Sequence, residues 1–231
     1  MLLSEALEKI SYALRGLDDS APSVGTEEGN YWVSLLNDKK NELYQDVKQN
    51  WSSIFGVESI GTISASSSLV FDLPESFLGV AGTDFDDVNG SDAYIIMTDG
   101  TRRDVKIVKP SQRGHAQQLY ISGMNPQTIT FTKEILATDD IVGGELFLPA
   151  YYLPDDLALA TDVLPVPNPN WLVQAVAADI AYSDIIYEDK AEGLNAKANN
   201  LYRMMTSNNR RGSNGAVRTM QYAVNRIRGT R

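Results

Sequence analysis

The sequence predicts an α+β protein in which a helical bundle, built from the two ends of the chain, carries an inserted β domain. Three observations predict this class. Apolar residues recur at helical spacing near the start of the 231-residue chain, alternate in short runs through its middle, and return to helical spacing after residue 170. The expected domains are an N-terminal helical hairpin (1–56), an inserted antiparallel β-barrel or sandwich (57–150), a C-terminal helical part completing the bundle (151–205) and a flexible basic arm (206–231).

The first helix is indicated by a single apolar face. Its members follow one another at spacings of three or four residues and are Leu3, Leu7, Ile10, Leu14 and Leu17. Ser4 is the expected N-cap of this helix, and Gly16 is its expected end.

A longer second helix is expected to begin after Thr26, whose hydroxyl suits an N-cap and is followed by two glutamates in the first turn. Gly56 is its expected end. The apolar face of this helix consists of Trp32, Leu36, Leu43, Val47, Trp51 and Ile54. Aromatic residues at helical spacing are typical of cores and subunit contacts, so both tryptophans are interpreted as packing residues.

The middle of the chain alternates apolar and polar residues with a period of two. Strands are predicted in ESIGTISAS (58–66), QLYISG (118–123), TITFT (128–132) and ELFLPAYYL (145–153), with a hairpin around the TDG turn of DAYIIMTDGTRRDVKIVK (92–109). Short strands separated by turns favour an antiparallel barrel or sandwich. An insert with its own core is expected to leave and rejoin the helical part at neighbouring points.

Helical spacing returns behind a proline-rich entry, with Asn170 as the expected N-cap of a helix over 171–187. The alanines of this helix permit close approach of its neighbours. A further helix is predicted over 190–205. The composition of TSNNRRGSNG (206–215) indicates a flexible hinge before a basic, weakly amphipathic end.

Charge is divided unevenly along the chain. The net charge is −10, but residues 203–231 contain seven arginines and no acidic residue, which leaves 13 basic and 30 acidic residues in 1–202. A body of −17 therefore carries an end of +7, which suits docking onto a negatively charged protein surface or nucleic acid. A solvated, partly disordered end is the alternative.

The sequence contains no recognisable catalytic or metal-binding constellation. Cysteine is absent and His115 is the single histidine, so neither a zinc site nor a Ser-His-Asp triad is expected. The acidic stretch 83–92 fits a calcium-binding EF-hand loop poorly, because Phe85 and Ile96 fall on the first and twelfth loop positions. We expect no enzymatic activity, no cofactor and no bound metal.

Membrane insertion and secretion are not expected either. No apolar run reaches the roughly 18 residues of a membrane helix, and charged residues interrupt the N-terminal segment from Glu5 onward. The absence of cysteine fits a reducing compartment.

The order of elements resembles the head–tail connector (adaptor) proteins of tailed bacteriophages, including the tail tubular protein A type and other head-completion adaptors. The resemblance rests on a helix pair ending near ELYQDVKQNW, an LP-x-x-F-L elbow, and a YY-x-x-P strand end followed by an acidic link and an alanine-rich helix. The matching residues are Leu73, Pro74, Phe77, Leu78, Tyr151, Tyr152, Pro154, Asp162, Pro165, Trp171 and the alanines from Ala175 to Ala181. The β insert is longer than a minimal adaptor needs.

The resemblance implies a structural virion protein at the head–tail junction, assembled in the host cytoplasm. Such adaptors form a homo-oligomeric ring, usually of twelve copies, below the portal protein. The ring extends the channel through which DNA passes without sequence-specific binding, and it offers a docking surface to the next tail or nozzle protein. The basic arm would contact the portal, and its candidate residues are Arg210, Arg211, Arg218, Tyr222, Arg226, Arg228 and Arg231.

In such a ring the stretch FDLPESFLGV (71–80) would act as an elbow between the two domains. Pro74 restricts the backbone, and Leu73, Phe77 and Leu78 would pack against the helical bundle. An ordinary proline turn with buried neighbours is the alternative reading.

Three other functions stay open on sequence grounds: another tail-tube component, an acidic calcium- or carbohydrate-binding β module with helical flanks, and an enzyme built on carboxylates.

Overall fold

The computed structural model describes residues 1–16, 20–45, 51–66, 69–80, 92–108, 117–123 and 126–228, with side chains described as far as Asn209. The described residues form four α-helices and two antiparallel sheets, so the fold class is α+β. The chain divides into two compact units. The helical unit consists of Met1–Ser53 and Asp155–Arg231, and the β unit consists of Ile54–Pro154.

Helix α1 (Leu3–Arg15) buries the apolar face that the spacing predicts, except for Leu17, which lies outside the described residues. It ends at Gly16, whose φ of 89° suits a residue without a side chain. The N-cap prediction is wrong, because Ser4 lies inside the helix. Distant backbone carbonyls accept from the first free N–H groups instead: Leu3 N donates to Asp162 O (2.8 Å) and Ser4 N to Ala160 O (3.1 Å).

Helix α2 (Glu27–Gln45) begins where predicted, since the hydroxyl oxygen of Thr26 accepts a hydrogen bond from Gly29 N at 3.1 Å. Gly29 allows the preceding turn to fold closely against the helix, because a Cβ there would lie 2.1 Å from Ser23 O.

The predicted end of α2 at Gly56 is wrong, and so is the assignment of Trp51 and Ile54 to its apolar face. A short 3₁₀ turn (Ser52–Ile54) follows Trp51, and Gly56 pairs with Ala150 within a β-strand. Both apolar residues are buried, but Trp51 precedes the 3₁₀ turn and Ile54 belongs to it. Val47 lies outside the described residues.

The N-cap of helix α3 (Pro169–Ser183) is Asn168, two residues before the predicted N-cap Asn170. The side chain of Asn168 accepts from Asn170 N at 3.2 Å, and Pro169 occupies the first helical position. Proline suits that position because its missing N–H would have no partner there anyway. Leu172, Val176 and Ile180 are buried, together with the neighbouring alanines Ala175, Ala177, Ala178 and Ala181.

Helix α4 (Glu188–Arg228) is one continuous helix of 41 residues. The backbone of 206–215 is thus helical, and the flexibility expected of this segment and of the arm beyond it stays a prediction. Each glycine in a helix interior costs only about 1 kcal/mol relative to alanine, and the serine, asparagine and arginine residues between them are compatible with a helix.

The described part of the β unit contains eight strands: β1 (Phe55–Thr62), β2 (Val70–Asp72), β3 (Phe77–Val80), β4 (Asp92–Ile96), β5 (Arg102–Lys106), β6 (Leu119–Ser122), β7 (Thr128–Phe131) and β8 (Glu145–Tyr152). All the predicted strands are present, including the hairpin of β4 and β5. The elbow stretch contributes β2 and β3, which the alternation did not predict.

The central strand of the five-stranded sheet is β8. On one side β8 pairs with β1. On its other side β8 pairs with β3 through Ala150–Tyr152 and with β4 through Glu145–Phe147, and β4 in turn pairs with β5. Strands β2, β7 and β6 form the second sheet. Because Phe55 pairs with Tyr151, the two ends of the insert lie side by side, as expected for an insert with its own core.

Both sheets contribute to one hydrophobic core, and the strand pairings of the described residues do not close a barrel. The first sheet supplies Ala93, Ile95, Leu146 and Leu148, and the second supplies Leu119, Ile129 and Phe131.

Candidate assembly surfaces

The predicted arm residues lie at the far end of α4. Arg210, Arg211, Arg218, Tyr222, Arg226 and Arg228 belong to the helix, whereas Arg231 lies outside the described residues. At a rise of about 1.5 Å per residue, the helix is about 60 Å long. The arginine-rich end therefore lies tens of ångströms along the helix axis from the turn between α3 and α4.

The elbow residues lie within the β unit. Leu73 and Phe77 are buried in its core, and Leu78 is half-buried. A turn joins β2 of the three-stranded sheet to β3 of the five-stranded sheet, and in it Phe77 N donates to the carbonyl of Pro74 at 2.9 Å. The stretch thus carries the chain from one sheet to the other. Its role as an elbow between domains stays a prediction.

Tyr152, one of the residues behind the resemblance, anchors the end of β8. Its ring meets that of Phe77 edge-on at a centroid distance of 6.2 Å, and its hydroxyl donates to Leu148 O at 2.8 Å. Burial, together with the nearby negative charge of Glu58, raises the pKa of the Tyr152 hydroxyl. This tyrosine therefore serves as a neutral hydrogen-bond donor.

The acidic link of the resemblance is a structural clamp, which we define as residues 155–165. Polar side chains spaced along α2 hold it. Asn37 exchanges two hydrogen bonds with the backbone of Leu157, donating to its carbonyl at 3.0 Å and accepting from its N–H at 2.8 Å. The ammonium of Lys40 donates to Asp155 O at 2.7 Å and to the Asp156 carboxylate at 2.9 Å. One turn further on, the hydroxyl of Tyr44 donates to the carbonyl of Pro165.

The clamp also holds the start of α1. Leu164 N donates to Met1 O at 3.0 Å, and the clamp carbonyls described above accept from the first helical N–H groups. The Asp162 carboxylate shapes this loop by accepting from Leu159 N at 2.7 Å and Ala158 N at 2.8 Å. These two hydrogen bonds lower the pKa of Asp162. The clamp therefore joins both N-terminal helices to the chain that returns from the β unit.

Sequence reasoning missed Asn37 and Lys40. For Lys40 the spacing of the sequence offered a signal. Lys40 lies four residues after Leu36 and three before Leu43, so it falls on the apolar stripe of α2. A cation at such a position indicates a buried polar partner, although the partner itself could not be named from the sequence.

A groove of about 390 Å³ lies between α2, α3 and α4. Ala175, Ala178 and Ala198 line it, together with the tilted ring pair of Trp171 and Tyr202. At the same groove the ammonium of Lys39 bridges the carboxylates of Glu42 (2.9 Å) and Asp179 (3.1 Å). Burial opposes the charge of Lys39, but these two hydrogen bonds raise its pKa.

The end of α3 and the turn that leads to α4 expose three large side chains, which we name the corner patch: Tyr182, Ile185 and Ile186. Their exposed fractions are 56%, 87% and 73%. Because α3 ends at Ser183, Ile185 and Ile186 do not continue its buried face. The patch is flanked along the chain by carboxylates, of which Glu188 and Asp189 are exposed.

The β unit also exposes aromatic side chains. Phe147 and Tyr151 alternate with the buried residues of β8 and lie half-buried on the outer face of the five-stranded sheet. The ring of Phe147 stacks on that of Tyr94, with 5.3 Å between the ring centroids. The guanidinium of Arg102 lies 4.0 Å from the centre of the Tyr94 ring. On the same face Phe55 meets Tyr151 edge-on at 5.8 Å.

Within the described ranges, no group of three or more acidic or histidine side chains could hold a metal ion. His115 and residues 83–91 of the acidic stretch lie outside those ranges. The possibility of calcium binding by this stretch is therefore untested. None of the helices in the described part of the chain is both long and apolar enough to cross a membrane.

No protein-family model matches this chain, and no match to it is found among curated proteins.

Proposed function

We propose that this protein is a structural, non-enzymatic component of a tailed-phage virion that forms a ring below the portal at the head–tail junction. In that role the ring extends the DNA channel and presents a docking surface to the next tail or nozzle protein. The proposal starts from the resemblance to connector proteins. In this role the protein acts by binding to other protein surfaces.

The corner patch is the observation that carries the proposal. Ile185 and Ile186 are 87% and 73% exposed, at the tip of a turn where a monomer gains nothing from large apolar side chains. Covering two such side chains in an interface contributes about 1.5–3 kcal/mol each. Contact with another protein surface would bury Ile185 and Ile186 and so account for their apolar character.

The charge division supports the same role. Acidic residues dominate the body, so phosphate groups of DNA in a channel would be repelled rather than held. The arginine-rich end has the opposite charge and suits docking onto acidic protein surfaces.

The test is assembly. The purified chain is measured by native mass spectrometry over a range of concentrations, then mixed with portal protein and imaged by electron microscopy. A closed ring that sits on the portal is the expected result. A chain that stays single at high concentration and ignores the portal would rule the proposal out.

A second candidate function, carbohydrate binding, is favoured by one observation: the aromatic rings on the outer face of the five-stranded sheet. Flat rings half-open to solvent can pack against sugar rings. A thermal-shift screen with oligosaccharides tests this, because a ligand that binds only the folded state raises Tm. Tyr94→Ala should abolish any such shift.

A further inference from the structure

We propose that the arginine-rich end of α4 in one copy docks on the corner patch of a second copy. The inference rests on the ring of the proposed function and makes a neighbouring copy, rather than the portal, the first partner of this segment. Charge, apolar pattern and distance each support it.

The sequence of the segment predicts an amphipathic, basic helix. Within 216–228 the apolar residues Val217, Met220, Val224 and Ile227 recur at spacings of three, four and three, which is one stripe of a helix. Arginines at 218, 226 and 228 accompany them, without any acidic residue. The backbone of this segment is helical as far as Arg228.

The corner patch has the complementary character. Its apolar centre is flanked by Asp184, Glu188 and Asp189, and the nearest basic residue along α4 is Lys190, whose ammonium donates to Leu14 O. An apolar centre with an acidic border suits an apolar stripe bordered by arginines, because the buried area supplies affinity and the opposite charges orient the approach.

The segment cannot reach the corner patch of its own chain. Val217 lies 29 residues after Glu188 in one uninterrupted helix, which corresponds to about 44 Å along the axis, and Arg228 lies about 60 Å away. A second copy can supply the patch. Because the two contact surfaces differ, the association is head-to-tail, the type of contact that closes into a ring when its rotation permits.

The test mixes two variants in the absence of portal protein. One lacks residues 209–231 but keeps the patch, and the other carries Ile185→Asp and Ile186→Asp but keeps the segment. Both isoleucines are largely exposed, so the second variant should fold normally. Each variant alone should associate at least tenfold more weakly than the wild-type chain, whereas the mixture should form a one-to-one dimer and nothing larger.

The matched control replaces two other exposed residues of the helical unit, Tyr12→Asp on α1 and Tyr31→Asp on α2, which are 58% and 51% exposed. This variant should associate like the wild type. A charge exchange supplies a second test: Glu188→Lys with Asp189→Lys in one copy should restore binding to Arg226→Glu with Arg228→Glu in the other.

The outcomes separate this inference from the proposed function. If the corner variant still forms rings, or the mixture forms no dimer, the inference is wrong and the ring proposal stands. If the chain assembles only on a portal and its arginine-rich segment cross-links to the portal protein, the inference is wrong but the ring proposal still stands. If the chain assembles neither with itself nor with the portal, both the inference and the ring proposal are wrong.

Discussion

The ammonium of Lys40 lies 2.9 Å from the carboxylate of Asp156, although 116 residues separate them in the sequence. The two groups differ in their surroundings, since the lysine side chain is fully buried and the aspartate side chain is 68% exposed. The pair fixes the chain onto α2 directly after it returns from the β unit. The clamp is therefore held partly by a charged contact whose cationic half has no access to water.

We predict that losing either partner of this pair destabilises the protein, and that losing the aspartate costs more. Lys40→Met leaves an exposed carboxylate that water can solvate, so the cost should be about 1–3 kcal/mol. Asp156→Asn removes the carboxylate charge 2.9 Å from a fully buried ammonium and should cost more than that. Urea unfolding of both variants measures the difference. Equal stability of Asp156→Asn and the wild type would contradict the buried-cation argument, and Asp38→Asn, on an exposed acid of α2, is the control.

The two hydrogen bonds between Asn37 and Leu157 lead to a second prediction. Asn37→Asp keeps the acceptor for Leu157 N–H but places a carboxylate against the Leu157 carbonyl, which it cannot hydrogen-bond. We expect a loss of about 1–3 kcal/mol in the free energy of unfolding, from the lost hydrogen bond and the unpaired carbonyl. Thermal unfolding of Asn37→Asp and Asn37→Ala checks it. A variant as stable as the wild type would show that Asn37 does not hold the clamp.

The sequence predicted the helices and most strands, but it did not predict the clamp. Periodicity identifies Leu3, Leu7 and Ile10 as one buried face because that signal is local. The acceptors for the first N–H groups of α1 come from Ala160 and Asp162, and no local pattern encodes a contact over such a separation. The corner patch escaped notice for a related reason: whether Ile185 continues a helix face depends on where α3 ends.

The lowered pKa of Asp162 predicts a specific dependence of stability on pH. A carboxyl whose folded-state pKa lies below its ordinary value of 3.8 stabilises the protein above that pH, and the contribution is lost as the pH falls through the folded-state pKa. The fall in Tm from pH 7 to pH 3 should therefore be smaller for Asp162→Asn than for the wild type. Calorimetry at both pH values measures it, with the exposed Asp38→Asn as control. Identical falls for all three proteins would contradict the role of this carboxylate.

Burial of Phe77 changes how the elbow should be tested. Phe77→Ala removes a ring from the core of the β unit and should cost about 3–5 kcal/mol, so any loss of assembly could follow from unfolding. Leu78 is only half-buried and offers a milder probe. If the stretch positions the two domains, Leu78→Ser should keep the Tm within a few degrees and still impair ring formation in native mass spectrometry. Unimpaired rings would leave the stretch as a turn between two sheets.

Continuity of α4 through the predicted hinge can be measured directly. Gly212→Ala and Gly215→Ala should each stabilise an interior helix by about 1 kcal/mol, which slows amide exchange over 206–215 roughly fivefold per substitution. The matched control is Gly16→Ala, at the end of α1 with φ of 89°, where alanine is strained and should destabilise by about 1 kcal/mol. Helix content is followed by circular dichroism. Unchanged exchange over 206–215 in both alanine variants would restore the flexible hinge and remove the distance argument that assigns the arginine-rich end to a second copy.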